Sequence, residues 1–305
     1  MKLVTFRVSQ SSPRVGVVQN DRVYDVTDFV GGLEPMESGT RQARWFEQIP
    51  QAGMLKLLGC GSSGLESLRS LLKSGPKSLK HYALQEVDLQ APVMRPGKII
   101  GVGKNYADHA AEVGSVTLTA PKLFSKFPSV VVGPGAQVHA KPIIRKMDYE
   151  AELAVVIGSF ASQVKAEHAL DVIAGYTILN DVSAREFQHD VPQAQTSFAK
   201  SMDGFCPMGP WLVTADEIPD PQALDVSLEL NGTQMQHGNT AQMIFTVRTL
   251  IEYITQYVEL EPGDVIATGT PAGVGSARKP PVWLKAGDQV RISVSGIGTL
   301  DHGVC

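Results

Sequence analysis

The chain has 305 residues, of which 43% are apolar and 19% charged, with a formal net charge of −4. It is long enough to bury a core without disulfide or metal staples, and this balance excludes intrinsic disorder, a basic nucleic-acid-binding surface and a polybasic membrane anchor. Its cysteines, Cys60, Cys206 and Cys305, are far apart and form no C-x-x-C pair, so neither a disulfide framework nor a structural zinc site is expected and a reducing cytoplasm is the expected setting.

Residues 2–8 alternate polar and apolar as a strand does, and residues 14–18 and 22–26 flank Asn20-Asp21 as the arms of a hairpin. The opening MKLVTFRVSQ lacks the apolar core of a signal sequence, and no run reaches the roughly 18 apolar residues of a membrane helix. Apolar positions at i, i+3 and i+4 predict helices over about residues 40–58 and 65–73. Breakers at Ser74-Gly75-Pro76-Lys77, Ala91-Pro92 and Arg95-Pro96-Gly97 place a domain boundary near Pro92 to Pro96. The expectation is a small N-terminal α+β domain over residues 1–93 and a second domain over 94–305.

Past that boundary, short β-like runs recur between Gly and Pro clusters: KIIGVG, LAVVIG, YTILN, DVSLELNG, DVIATG and QVRISVSG. Helical candidates are residues 105–113, 167–172 and 246–257. Leu260-Glu261-Pro262-Gly263-Asp264-Val265 and Leu284-Lys285-Ala286-Gly287-Asp288-Gln289 each set Gly-Asp in a turn before a strand, which predicts two turns of one sheet system.

The most informative string is Asp148-Tyr149-Glu150-Ala151-Glu152, followed by an apolar strand. Alternation puts Glu150 and Glu152 on one face, about 7 Å apart, where the carboxylates repel unless a positive charge sits between them. A hard cation such as Mg2+, Mn2+ or Ca2+ would serve; a solvated strand face is the other reading. Asp181 ends the strand-like run of residues 176–179 and offers a third carboxylate, or an N-cap for residues 183–188. On a helix His109 and Glu112 are i, i+3 neighbours, either a base with its orienting carboxylate or an ordinary ion pair.

Lys126 and Lys200 lie beside β-like segments, where a lysine can hold a carboxylate or a developing enolate, or simply face solvent. The loop from Thr268 to Gly275 is dense in N–H groups and hydroxyls, as an anion nest or a structural turn would be. Gly59-Cys60-Gly61-Ser62-Ser63-Gly64 fits G-x-G-x-x-G, but a helical pattern precedes it, so it is not a dinucleotide site. Cys206 has no histidine near it in the sequence and is a poor candidate nucleophile.

Taken in order, IIGVGKNYADHAAEVG, PKLFSKFPSVVVGPG, MDYEAELAVVIG, GYTILNDVSAREFQ, AKSMDGFCPMGPWLVTADEI, NTAQMIFTVRTLIEYI, LEPGDVIATGTPAGVG and KPPVWLKAGDQV resemble the fumarylacetoacetate hydrolase family. The resemblance runs from about Gly97 to the C-terminus. The opening KLVTFRV and RVGVVQNDRVYDVTDF look like the small N-terminal domain of its longer bacterial members. The resemblance implies a β-rich α+β fold, with a rolled mixed-sheet catalytic domain and a homodimer.

It further implies that Glu150, Glu152 and Asp181 bind the metal and that His109 and Glu112 form the base pair on a short lid helix. Lys126, Arg185, Gln188, Lys200 and Thr270 would hold the substrate's oxo-acid end, with Lys200 also catalytic. The expected activity is Mg2+- or Mn2+-dependent cleavage of a C–C bond in acylpyruvate-like 2,4-dioxo acids, giving pyruvate and a carboxylic acid. Alternatives are decarboxylation or tautomerisation of oxaloacetate, isomerisation of a 2-hydroxydienoate, and a catalytically silent oxo-acid binder. The expected partner is a small acid, with neither nucleic acid nor membrane. Glu186, where aspartate commonly follows the Ala-Arg pair, and Met202 and Gly204 in the Lys-Ser-x-Asp-x-Phe string depart from the family pattern and bear on substrate preference.

Overall fold

The computed structural model describes residues 1–34, 41–50, 53–75, 79–114 and 118–305. The hairpin forms as expected: β1 (Lys2–Arg7) pairs with β2 (Arg14–Gln19), and β2 with β3 (Arg22–Asp25). Asn20 and Asp21 take φ of 50° and 58°, the pair of positive values a two-residue type I′ turn needs.

After α1 (Thr27–Gly31), the helix predicted over residues 40–58 is two helices, α2 (Arg41–Gln48) and α3 (Met54–Gly59); residue 40 lies outside the described residues. Pro50 has no N–H to continue the ladder and pushes the residue before it out of the helical region. The helix predicted from residue 65 begins earlier, as α4 (Gly61–Ser74), because Gly61 at φ 59° turns the chain out of α3 through Cys60. The glycine-rich string is therefore a helix–helix junction with no strand before it. Two short strands follow, β4 (His81–Ala83) and β5 (Asp88–Gln90).

The rest of the chain adds β6 (Ile99–Gly103), α5 (Ala107–Glu112), β7 (Lys122–Lys126), β8 (Val131–Val132), β9 (Gln137–Val138) and β10 (Met147–Asp148). Next come β11 (Ala151–Ile157), β12 (Ile173–Asn180), β13 (Ser183–Ala184), α6 (Glu186–His189), α7 (Thr196–Ala199) and β14 (Cys206–Thr214). Last are β15 (Asp225–Leu230), β16 (Thr233–Asn239), α8 (Val247–Thr255), β17 (Val265–Ala267), β18 (Gln289–Val294) and β19 (Gly298–Val304). The stretch predicted helical at 167–172 is a 3-10 helix, Ala166–Val172.

One large mixed sheet runs β4-β3-β2-β1-β14-β12-β11-β17-β6-β7, with β5 on β1 and β8 on β14. The β1–β14 pairing carries it across residues on both sides of Pro92. Its central strands β11 and β12 are apolar and buried on both faces, as strands covered on both sides must be. A second sheet, β16-β15-β18-β19-β9, alternates buried and exposed residues along β15 and β18, and its apolar face joins α8 and the large sheet in one core. The fold is thus β-rich α+β with mixed sheets. No helix among the described residues is long and apolar enough to cross a membrane.

The two Gly-Asp turns do not share a sheet. One feeds β17 of the large sheet and the other β18 of the small one. Their local chemistry is the same: Asp264 accepts the N–H of Glu261 at 2.7 Å, and Asp288 that of Lys285 at 2.9 Å. The repeat reports how each turn is tied, and this is independent of which sheet the next strand joins.

Candidate active site

β11 and β12 pair antiparallel with Ala151 opposite Asn180, and one step further the Asp181 N–H donates to the Glu150 carbonyl at 2.9 Å. The β10–β13 pair, Asp148 opposite Ser183, extends the same edge. This register gathers Glu150, Glu152 and Asp181, all buried, with ligand oxygens within 4.8 Å of one another. Asp181 caps no helix: α6 starts only at Glu186, and the Ser183 hydroxyl donates back to the Asp181 carbonyl.

Three cations are built into the cluster. Lys200 Nζ donates to Glu150 at 2.7 Å, Asp181 at 2.6 Å and Ser183 at 2.9 Å. Lys126 Nζ donates to the other Asp181 oxygen at 2.6 Å and to the Lys200 carbonyl. Arg185 spans Asp148 (2.8 Å), Glu150 (2.6 Å) and the side-chain oxygen of Gln188 (3.0 Å). Four carboxylates thus face three cations.

The shortfall falls on Glu152. Burial opposes charge on both glutamates. At Glu150 it is overcome by Lys200 and Arg185, which hold the carboxyl well below the usual range. At Glu152 burial is reinforced by Asp181 and Glu150, and the carboxyl is pushed well above its ordinary value. It accepts the Gly269 N–H at 2.8 Å. Burial likewise opposes charge on Lys200, but Asp181 and Glu150 keep it protonated. An all-oxygen donor set that still repels itself fits a hard divalent cation.

The loop after β17 closes one wall. Thr268 and Thr270 donate hydroxyls to the carbonyls of Leu153 and Ala151, and Thr270 accepts from Gln236 Nε2 at 2.7 Å. Four N–H groups of this segment serve the protein's own carboxylates: Gly269 to Glu152, Gly273 to Glu112, and Gly275 and Ser276 to Asp148. It works as a clamp on the acidic cluster.

α5 carries the remaining pair. His109 is buried, with Nδ1 3.5 Å from Glu112 Oε2, the outer edge of hydrogen-bond range. Burial raises the Glu112 carboxyl, but His109 and the Gly273 N–H outweigh it and bring it below its usual value. His109, Glu150, Glu152, Arg185, Gln188, Lys200 and Thr270 line one cleft of about 300 Å3. Lys126 and Asp181 sit behind its floor, and Glu112 backs His109.

Several groups here were not singled out from the sequence. Asp148 follows from the alternation that gave Glu150, taken one step back. Asn180 accepts the Glu150 N–H at 2.9 Å and donates to His302 Nε2 at 2.8 Å; His302 Nδ1 in turn donates to the Gly303 carbonyl. Burial pushes His302 down to about 4, so it is neutral. His189 also lines the cleft, whereas His302 is a core residue that reaches the site through Asn180. Glu186 is outside the lining and accepts the Arg145 N–H. Burial pushes the Cys206 thiol up to about 12, consistent with a packing role.

The fumarylacetoacetate (FAA) hydrolase C-terminal family model matches residues 98–305. The mitochondrial oxaloacetate tautomerase fahd2 of Xenopus laevis is 38% identical over 307 residues, covering 100% of this chain and 90% of its own length. Among solved structures, maleylpyruvate hydrolase from Sphingobium sp. SYK-6 in complex with manganese(II) and pyruvate superposes with a TM-score of 0.77 at 32% identity, covering 100% of this chain and 98% of that one. Fumarylacetoacetate hydrolase from Exiguobacterium antarcticum superposes with a TM-score of 0.80 at 34% identity, over 100% and 99% of the two chains.

Proposed function

The chain belongs to the fumarylacetoacetate hydrolase family, and from that premise we propose that it is a Mg2+- or Mn2+-dependent hydrolase splitting acylpyruvate-like 2,4-dioxo acids into pyruvate and a carboxylic acid. The observation that carries this reading is the placement of the buried His109, paired with Glu112, on the same cleft as Glu150 and Glu152 of the three-carboxylate cluster. A divalent cation held by Glu150, Glu152 and Asp181 would supply Lewis-acid polarisation and a template for the 2-oxo acid head. The manganese and pyruvate of the Sphingobium enzyme support that choice.

The protein groups then divide the work. With Nδ1 turned to Glu112, His109 has Nε2 left to take a proton from water. The resulting hydroxide adds to the distal carbonyl carbon. The bond from that carbon to the methylene breaks, its electron pair passing to the methylene as pyruvate enolate, and a proton returns there. Lys200 and Lys126 supply fixed positive charge near the developing enolate. Arg185 is committed to Asp148 and Glu150, so it acts on substrate through Gln188, whose amide N–H groups remain for the substrate carboxylate. Thr270, tied to Ala151 and Gln236, shapes the wall.

Pyruvate release from acetylpyruvate, measured with and without a chelator, tests the reading; turnover that survives complete metal removal overturns it. The Xenopus relative favours a second reading, tautomerisation of oxaloacetate, in which His109 moves a carbon-bound proton and no water is consumed. Following the enol absorbance of oxaloacetate beside pyruvate release separates the two.

A further inference from the structure

The Thr268–Gly269 peptide stands between two parts of the molecule. Its N–H faces the floor of the cleft and donates to Glu152 Oε2 at 2.8 Å. Its carbonyl faces the other way and accepts from Asn105 Nδ2 at 2.8 Å. A trans peptide is a rigid plate whose N–H and C=O point in opposite directions, so holding one end orients the other. Asn105 holds it from a fixed position, fully buried in the link between β6 and α5. Nδ2 also donates to the Phe245 carbonyl at 3.0 Å, Oδ1 accepts the Phe245 N–H at 2.8 Å, and the Asn105 carbonyl accepts the Ile244 N–H at 2.7 Å. The two carbonyls can only accept, which leaves one orientation for the Asn105 amide.

The plate needs such a hold. Gly269 takes φ 101°, and a β-carbon there would meet Asn105 Cβ at 2.8 Å. Glycine lets the two segments approach this closely, but it also leaves the peptide before it free to rotate. A flip would aim the Thr268 carbonyl at Glu152, oxygen against oxygen, and take away the N–H that Glu152 accepts. Thr268 is tied on its other side, where its N–H and hydroxyl both donate to the Leu153 carbonyl, at 3.2 and 2.8 Å. Those bonds leave its own carbonyl to Asn105.

We propose that Asn105 is a positioning residue for the metal-binding carboxylate: by holding the Thr268–Gly269 peptide it keeps the Gly269 N–H on Glu152 and so fixes how that carboxyl group is presented to Glu150 and Asp181. This rests on the reading above that Glu152 helps to hold a cation. The same residue roots α5, which carries His109, so one buried amide ties the helix of the base to a carboxylate of the metal cluster.

The test compares the wild-type chain with Asn105→Leu, which keeps the volume, and Asn105→Ala, which cannot clash. Both variants lose stability even if Asn105 only packs, so two other readouts decide. Mn2+ affinity by titration calorimetry should fall about 10–100-fold, the usual effect of removing a group that orients a metal ligand. The Gly269 amide, followed by NMR in the metal-free chain, should exchange faster with solvent. Unchanged metal affinity in a folded variant overturns the proposal, as does a Gly269 amide that exchanges as slowly as in wild type. If neither variant folds, the wild type decides: its Gly269 amide should be protected as the strand amides of β11 are, and free exchange overturns the proposal. Wild-type protein that takes up no Mn2+ defeats the metal reading, and Gly269 exchange then still decides whether Asn105 holds the peptide.

Discussion

The floor and the rim of the cleft are built on opposite principles. At the floor, Asp148, Glu150 and Asp181 interlock with Lys126, Lys200 and Arg185 through bonds of 2.6–2.8 Å, and Glu152 is buried beside them on the Gly269 N–H. At the rim, His109 and Glu112 meet at 3.5 Å and Lys122 is exposed. The floor's charges are fixed before any ligand arrives, so no reorganisation is needed as charge develops, whereas the rim's groups have room to take up a ligand. Removing a floor residue should therefore disturb the fold as well as the chemistry, and removing a rim residue the chemistry alone.

The largest effect is expected at the floor. Glu150→Ala strands Lys200 and Arg185, so the metal-free protein should lose about 3–5 kcal/mol of stability, the usual cost of breaking a buried ion pair. Metal binding and turnover should disappear with it. Glu152→Gln should also abolish metal binding yet raise the melting temperature of the metal-free protein, because it removes the carboxylate that burial and two neighbours already disfavour. Opposite signs for two glutamates two residues apart would be the sharpest evidence that the cluster lacks one cation at Glu152. A fall in melting temperature in both variants breaks the distinction.

His109→Ala probes the rim and comes next in size. Turnover should drop about 10^2–10^4-fold, the range for loss of a general base, while calorimetric metal affinity and melting temperature stay close to wild type. Loss of metal affinity in this variant would make His109 a structural part of the floor.

What the sequence could disclose follows the same division between local and distant. Glu150 and Glu152 are legible because strand alternation is a local rule, and His109 with Glu112 because helical spacing is another. Asn20-Asp21 declares its turn by the residues alone. The partners of these groups are another matter. Arg185 finds Asp148 37 residues away, and Asn180 finds His302 across 122 residues and between two sheets. Lys122 comes to lie opposite Gly103 through the β6–β7 register, across 19 residues of chain. None of these pairings leaves a periodic trace. The turns at Asp264 and Asp288 show the limit from the other side, since identical local capping leads into different sheets. The helical pattern over residues 40–58 persists through Pro50, and apolar spacing there outweighed a breaker that the backbone could not ignore.

His302 offers the last test, of whether the floor is braced from the second sheet. It lies in β19, accepts from Asn180, and through Asn180 steadies the backbone N–H of Glu150. Its neutral form is what the fold holds: burial lowers its pKa from 6.5 to about 4. Between those values the unfolded chain binds a proton that the folded chain does not, so stability rises with pH through that window. The contribution is complete above pH 6.5 and is lost as pH falls toward 4, amounting to about 3 kcal/mol. His302→Asn keeps an acceptor for Asn180 and removes the titration. Unfolding by urea at several pH values from 7 to 4 should show wild type losing about 3 kcal/mol more than the variant. Parallel pH profiles would mean that His302 is not held neutral. Metal affinity that falls in His302→Ala and returns in His302→Asn would place the brace in the chain His302–Asn180–Glu150, and equal affinity in all three proteins would confine His302 to packing.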